Sequence, residues 1–350
     1  MNDKKLRIAD LARQLGVHPS TVSRVLNPAT RHLISASVVA QVLEKAEEVG
    51  YRPNILAAAL RTKRSCLIGV LIPDLSNAIF PLMLAGINDV LSRAGYTVLI
   101  VDASGDTRSQ LQVVQQMQSR QVDGLIIAST ERHDAVVDYC LEEGLRAVSL
   151  NRMEDECRIP SVINDDTMSI RLAVDHLVSL GHRAIGHIVG PLKFSTSHVR
   201  SVGFHATMTA HGLPVAPRMI QESEAYTREA GRKSCTAMLK NFPQVTAIVA
   251  GNDLIAVGCL DTFRERNLVC PRDISLIGHN DTALTDVINP PLTTLQIRQR
   301  ELGARAASLL LSSLDEDTVE PVELRLKPKL VVRASTGPVR EAGSITALQG

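Results

Sequence analysis

The chain has 350 residues, 45% hydrophobic and 21% charged, which excludes a globally disordered protein and leaves room for more than one domain. Aromatics make up only 3% and tryptophan is absent, so the cores must be aliphatic, a bias that suits packed strands and helices over an all-β sandwich. The net charge of +1 hides an asymmetry: residues 1–64 hold 11 Lys/Arg against 5 Asp/Glu, a surplus of 6 that leaves the remainder at about −5, so a polyanionic partner is expected at one end only.

The N-terminus "MNDKKLRIADLARQLG" is amphipathic and lacks the apolar core of a signal peptide. No apolar run reaches membrane-spanning length, so a soluble cytoplasmic protein with no membrane partner is expected. Ile8, Leu11, Ala12 and Leu15 recur at helical spacing, and Gly16 stops that helix with a sharp turn. Pro19 suits the first turn of the next helix, within "GVHPSTVSRVLN". There Val22, Val25 and Leu26 point inward together and leave Ser20, Ser23, Arg24 and Asn27 outward. Ser35 is expected to cap a third helix running to Val49, with Val38, Val42, Leu43 and Ala46 on its buried side and Gly50 as its stop.

A turn-joined helix pair of this kind lays its second helix in the DNA major groove, with that helix's N-terminal residues at the base edges. Ser20 and Arg24 lie one turn apart, and Arg24 matches the O6/N7 edge of guanine. Thr21, Ser23 and Asn27 are short donors suited to phosphate oxygens. A small protein-binding helical domain is the rival that the pattern leaves open, and the local positive charge counts against it. Pro53 and Asn54 then start a helical stretch over 56–61 that is too short to stand alone in water. Either it folds on DNA with Leu60 as an apolar wedge in a minor-groove step, or it is a linker turn with Leu60 buried. The polar run 61–65 reads as a linker.

From Leu67 the rhythm changes. Apolar runs ("LIGVLIPD", "YTVLIVDA", "VDGLIIAST", "RAVSLNR", "RAIGHIVG", "VTAIVAGND", "ISLIGHND") alternate with helical patterns near 79–94, 107–120, 132–143, 167–180, 198–212, 228–240 and 254–267. Such alternation implies parallel sheets covered on both faces. The body exceeds one comfortable core, so two lobes are expected, with a break near 151–166 and a return crossing at "PPLTTLQI".

The six cysteines (Cys66, Cys140, Cys157, Cys235, Cys259 and Cys270) form no C-x-x-C pair and no zinc-spaced cluster, so buried reduced thiols are expected. No dinucleotide fingerprint, phosphate loop or H-E-x-x-H motif occurs, so no cofactor and no metal are expected. The histidines are scattered and read mostly as surface or helix-end residues, His182 and His187 in "GHRAIGH" as structural.

"IADLARQLGVHPSTVSRVLN", "VGYRPNILAAALRTKRS", "IGVLIPDLSNAIF" and "ISLIGHNDTALTDVINPPLTTLQI", in this order, resemble the lactose-repressor (LacI/GalR) family of bacterial transcription regulators, over nearly the whole chain. The resemblance implies an all-α helix-turn-helix head (1–51), a hinge helix and linker (52–65), a two-lobed α/β body of the periplasmic-binding-protein type with parallel sheets (66–340), and a tail (341–350). It implies a homodimeric reader of operator DNA, more often a repressor than an activator, with a small metabolite between the lobes. Pro19, Ser20 and Arg24 fall where the family reads bases, Thr21, Ser23 and Asn27 where it grips phosphates, and Leu60 on its intercalating leucine. His18 and Asn54 complete this DNA-binding set. His18 replaces the usual small hydroxyl cap, the loop 28–34 is about two residues longer than usual, and Val38 and Val39 replace a phosphate-binding Thr-Arg.

In the cleft the family pattern selects Asn77, Phe80, Ala128, Asn151, Arg152, His198, Arg200, Tyr226, Asn252, Asp253 and Asn280, at the strand C-termini where open α/β sheets bind ligands. Sugar-binding members commonly carry Asp where this chain has Asn151 and Asn280. Two fewer carboxylates beside a retained Arg200 point to an anionic effector, a sugar acid or sugar phosphate; Asp253 counts against a strongly positive pocket unless it serves to orient Arg200. A neutral sugar read by asparagine amides is the alternative. An α/β enzyme acting on a small anion is a more distant rival, for which the cleft offers no acid, base or cofactor loop.

Overall fold

The computed structural model describes residues 7–26, 30–51, 64–104, 106–316 and 320–339, and the chain divides into two compact units, residues 1–65 and 66–350. Asn27, Asn54, Leu60, the expected hinge helix and the tail 341–350 lie outside the described residues.

The head contains α1 (Ile8–Leu15), α2 (Pro19–Leu26), a single 3-10 turn (Arg31–Leu33) and α3 (Ala36–Glu48). Gly16 sits at φ +62, a left-handed conformation that glycine adopts without strain. This lets the Val17 N–H reach the Ala12 carbonyl at 3.1 Å and the Gly16 N–H reach the Arg13 carbonyl at 3.4 Å, closing α1. Leu11, Ala12, Val22, Val25, Val42 and Ala46 are buried and form the core of the head. Ser35 stands at the start of α3, but its hydroxyl makes no capping bond and instead lies 3.4 Å from the Ser37 hydroxyl, so the expected side-chain cap is absent there. The loop before α3 folds back on α2: the Thr30 hydroxyl donates to the Arg24 carbonyl at 3.0 Å, and Arg31 Nε donates to the Val25 carbonyl at 2.8 Å. Carbonyls that a helix end leaves without partners are satisfied in this way.

The body holds two six-stranded sheets. The first combines β1 (Leu67–Ile72), β2 (Thr97–Asp102), β3 (Gly124–Ile127), β4 (Ala147–Leu150), β5 (Ser161–Asn164) and β11 (Glu323–Leu326) in the order β11-β5-β4-β3-β1-β2, all parallel. Its helices are α4 (Ile79–Arg93), α5 (Thr107–Ser119), α6 (Ala135–Glu142) and α11 (Gln299–Ser313). The second combines β6 (Ile185–Val189), β7 (Ile220–Glu222), β8 (Ala247–Ala250), β9 (Ser275–Asn280), β10 (Thr293–Gln296) and β12 (Lys329–Val331) in the order β12-β10-β9-β8-β6-β7, antiparallel only at β10–β12. Its helices are α7 (Asp166–Ser179), α8 (Ser195–Ala210), α9 (Arg228–Asn241) and α10 (Asp253–Glu265).

Separate, mainly aliphatic cores fill the two lobes, as expected of a chain so poor in aromatics. The backbone passes between the sheets after β5, after β10 and between β11 and β12, so each lobe is assembled from distant segments. In the first lobe α4 and α11 cross at Gly86 and Gly303. A Cβ on Gly86 would lie 2.0 Å from the Arg300 carbonyl oxygen, and one on Gly303 2.0 Å from that of Met83. Among the described residues no helix is long and apolar enough to cross a membrane.

The expected alternation is present, but β5, β7, β11, β12 and α11 have no counterpart in the periodicity reading, and the segment expected only as a return crossing contains strand β10. The missed strands have only three or four residues. β3, β4 and β8 are equally short but lie in continuous apolar runs, whereas β7, β11 and β12 are part-exposed edge strands without one and are strands because a neighbour's backbone pairs with them.

Candidate nucleic-acid interface and ligand cleft

On the head, His18, Ser20 and Arg24 are exposed, and Pro19, Thr21 and Ser23 are half-buried along α2. His18 resolves the question of how α2 begins. Its Nδ1 accepts the Ser20 N–H at 3.2 Å and lies 2.7 Å from the Ser20 hydroxyl, so an imidazole fills the place of the usual small cap. Val38 and Val39 pack against the head core.

In the body, Ala128, Asn151, Asn252 and Asn280 stand at strand ends, while Phe80, His198 and Arg200 lie within helices. Asn77 precedes α4, and its Oδ1 accepts the Ile79 N–H at 3.3 Å. Phe80 is 2% exposed and packs inside the first-lobe core. Ala128 follows β3 and is buried. Asn151 ends β4 at φ +67 and Asn280 ends β9 at φ +115, where asparagine tolerates a backbone that costs most side chains energy. From the second lobe come His198 and Arg200 on α8, Tyr226 after β7, and Asn252 and Asp253 after β8. Asn252 caps α10 by accepting the Ile255 N–H at 2.8 Å. The Tyr226 hydroxyl lies 2.6 Å from Ser197 Oγ and 3.1 Å from Thr196 Oγ1.

Arg200 is already engaged. Its Nε donates to Asp166 Oδ1 at 2.8 Å, its Nη2 meets the same oxygen at 2.8 Å, and its Nη1 donates to the Gly251 carbonyl at 2.6 Å. Asp253, expected to orient Arg200, does not. Its carboxylate accepts from the Thr282 N–H at 2.8 Å, the Thr282 hydroxyl at 2.9 Å and the Thr294 hydroxyl at 2.6 Å. Burial, only partly offset by these donors, pushes the Asp253 carboxyl up to about 6. Asp166 fills the orienting role from the first turn of α7, and sequence reasoning missed it because it lies 34 residues from Arg200, beyond any local pattern.

Among the described residues, Arg152 is the arginine whose buried guanidinium nitrogens lack hydrogen-bond partners. It is 7% exposed, and neither its Nε nor its Nη1 has a hydrogen-bond partner. The ring of Phe194, from the other lobe, lies 3.6 Å below its Cζ, and Tyr226 lies 5.8 Å away. Burial, with Arg200 close by, lowers it to about 10, so it stays charged at neutral pH. Burying a charge without a counter-charge is costly, and such a group is satisfied when an anion joins it. Ser129 Oγ, after β3, is also buried without a partner.

The lobes meet around this cleft. The Arg132 N–H donates to the Lys193 carbonyl at 3.0 Å, the Met153 N–H donates to Ser195 Oγ at 3.0 Å, and Lys193 pairs with Glu131. Gln299 Nε2 donates to the Asn280 carbonyl at 2.6 Å.

His182 and His187, read from the sequence as structural, are buried, and so is His279. Burial and then Arg200 hold His279 well below its ordinary range, so its 3.5 Å approach to Asp166 is not an ion pair. His187 is lowered to about 4, chiefly by burial. His187 and Asp253 bias acid stability in opposite directions. Below about pH 6.5 an unfolded histidine binds a proton that native His187 refuses, so acidification costs stability. Native Asp253 binds its proton near 6, before an unfolded aspartate does, so acidification returns stability. We therefore expect His187→Gln to gain about 2–3 kcal/mol relative to the unsubstituted chain between pH 7 and 4.5 in urea unfolding. A difference that does not change with pH would contradict this assignment.

Residues 7–54 match the bacterial regulatory proteins of the lacI family, and residues 174–336 match the periplasmic binding protein-like domain. Catabolite control protein A of Priestia megaterium is 31% identical over 330 residues, 94% of this chain and 98% of that one. The HTH-type transcriptional regulator MalR of Streptomyces coelicolor is 32% identical over 94% of this chain and 96% of that one. Among solved structures, the lac repressor dimer bound to operator and the anti-inducer ONPF is similar with a TM-score of 0.83 at 29% identity, over 95% of this chain and 100% of that one. A LacI family regulator from Enterococcus faecium with bound ribose gives 0.69 at 28% identity, over 78% of this chain and 100% of that one.

Proposed function

This chain belongs to the lacI family of bacterial regulatory proteins, and we propose that it is a repressor whose effector is a small anionic carbohydrate held between the two lobes by Arg152. As a family member it is a ligand-responsive, DNA-binding transcriptional regulator and not an enzyme. In this reading a homodimer places two α2 helices in successive major grooves of a two-fold operator. Arg24 grips a guanine, Ser20 reads a neighbouring base, and Thr21 and Ser23 hold phosphates. An effector that joins the lobes shifts the population of head arrangements able to engage both half-sites, so regulation is a coupling of two binding events.

The observation that carries the effector class is the buried, unpartnered guanidinium of Arg152. Nearby charges answer it only in part: Arg200 is matched by Asp166, Asp253 is held by threonine donors, and Glu131, whose charge favours that of Arg152, makes its ion pair with Lys193. A carboxylate or phosphate fits the fork, while Asn151, Asn280 and Ser129 suit hydroxyls. A neutral sugar is the second reading, favoured by the ribose in the Enterococcus relative and by the two asparagine amides.

Thermal unfolding against sugar acids, sugar phosphates and matching neutral sugars separates the two. An anion present at about 100 times its dissociation constant should add about 2.7 kcal/mol. Arg152→Met should remove that gain and leave operator affinity intact. Stabilisation by neutral sugars alone, unchanged in Arg152→Met, would overturn the anionic reading.

A further inference from the structure

We propose that His18 fixes the hydrogen-bonding polarity of Ser20, so that this regulator reads adenine or cytosine, and rejects guanine and thymine, at one position of each operator half-site. The inference rests on the placement of Ser20 at the base edges given above.

The argument starts from a donor that has no choice. The Ser20 backbone N–H can only donate, and it points at His18 Nδ1 at 3.2 Å. Nδ1 is therefore the bare, accepting nitrogen, and the ring proton sits on Nε2. The Ser20 hydroxyl lies 2.7 Å from the same Nδ1. An accepting nitrogen meets a hydroxyl only as its acceptor, so the two donors share the one Nδ1 lone pair, and the shorter contact directs the Ser20 O–H proton at His18. What Ser20 Oγ then presents to a groove is lone pairs. A free serine is ambiguous in DNA recognition because its hydroxyl rotates to donate or accept. This one is an acceptor only.

In the major groove the donors on base edges are adenine N6 and cytosine N4, whereas guanine offers N7 and O6 and thymine offers O4, all acceptors. Facing guanine or thymine, Ser20 would set lone pair against lone pair or give up its bond to His18. A small hydroxyl cap in place of the imidazole would bond the helix N–H groups and leave the serine proton free. The histidine thus serves twice, as the cap of α2 and as the element that sets the polarity of its neighbour.

The test uses the full-length protein and a library of duplexes with randomised half-sites. The unsubstituted protein should select adenine or cytosine at one position per half-site, and Ser20→Ala should lose that preference. His18→Ser keeps a good helix cap, so the head still folds, and should admit guanine or thymine there. In the selected duplex, replacing that adenine by purine, or that cytosine by 2-pyrimidinone, deletes the donor amine. This should weaken binding by the unsubstituted protein about three- to tenfold and binding by His18→Ser by less than twofold. Selection of guanine or thymine at the Ser20-dependent position, or indifference to loss of the amine, overturns the polarity. If Ser20→Ala alters no position, the placement of Ser20 itself fails, and the inference falls with it.

Discussion

Replacing Asp166 by alanine is expected to destabilise the two-lobed body by about 3–5 kcal/mol, the cost of leaving a buried charge without its partner. Arg200 is 4% exposed, and without Asp166 only the Gly251 carbonyl would remain of the acceptors that now hold it. The converse substitution should cost less. Arginine cannot shed its proton, but a carboxyl can take one. Burial already holds Asp166 above its ordinary range, and removal of Arg200 would raise it further. Arg200→Met should therefore cost about 1–3 kcal/mol at pH 7, and less as the pH falls toward 5 and Asp166 becomes neutral. The pair Asp166→Leu with Arg200→Met should recover part of the loss, since it leaves neither group stranded. Urea unfolding of the three variants at pH 7 and 5 measures this. Equal costs for the two single variants, or no pH dependence in Arg200→Met, would mean that this pair is not the buried ion pair that organises the cleft.

Gly303→Ala should lower the melting temperature of the body by about 6–12 °C, corresponding to about 3 kcal/mol of overpacking. The added methyl would sit 2.0 Å from the Met83 carbonyl oxygen, where no flexible side chain can move aside. The α4 and α11 helices would have to separate. Gly86→Ala should do the same from the opposite face, since its Cβ would meet the Arg300 carbonyl. The double variant should cost less than the sum, because one separation of the helices relieves both clashes. Gly203→Ala is the control. It lies within α8, and the nearest atom to its Cβ would be 3.6 Å away, so it should be neutral or stabilising by up to about 1 kcal/mol. If Gly303→Ala and Gly203→Ala melt together, the crossing is looser than these distances state.

The same contrast separates what was legible in the sequence from what was not. The head was legible because its determinants are local. Helical spacing of Leu11, Ala12, Val22 and Val25, a left-handed Gly16 and Pro19 in a first helical turn act over three or four residues, and α1 and α2 stand where those signals put them. The long apolar runs of β1, β6, β8 and β9 were legible for the same reason, as strands buried on both faces carry their own signal. The presence of ligand-type residues at strand ends also followed from sequence order, because in parallel sheets each such end falls on the same edge.

Which of those residues has a free hand did not follow. Arg200 and Arg152 look alike in the sequence. Only tertiary structure engages the first with Asp166 and Gly251, and leaves the second buried between lobes against Phe194. Asp253 and its threonines, and the short edge strands β7 and β11, are likewise decided by partners far away along the chain. The physical reason is common to them. Helix periodicity and turns depend on neighbours a few residues apart, whereas desolvation and charge pairing depend on whatever the fold brings within about 4 Å. Local pattern thus carries the helix-turn-helix head and the two-lobed α/β body, whereas long-range packing pairs Arg200 with Asp166 and leaves Nε and Nη1 of Arg152 without hydrogen-bond partners.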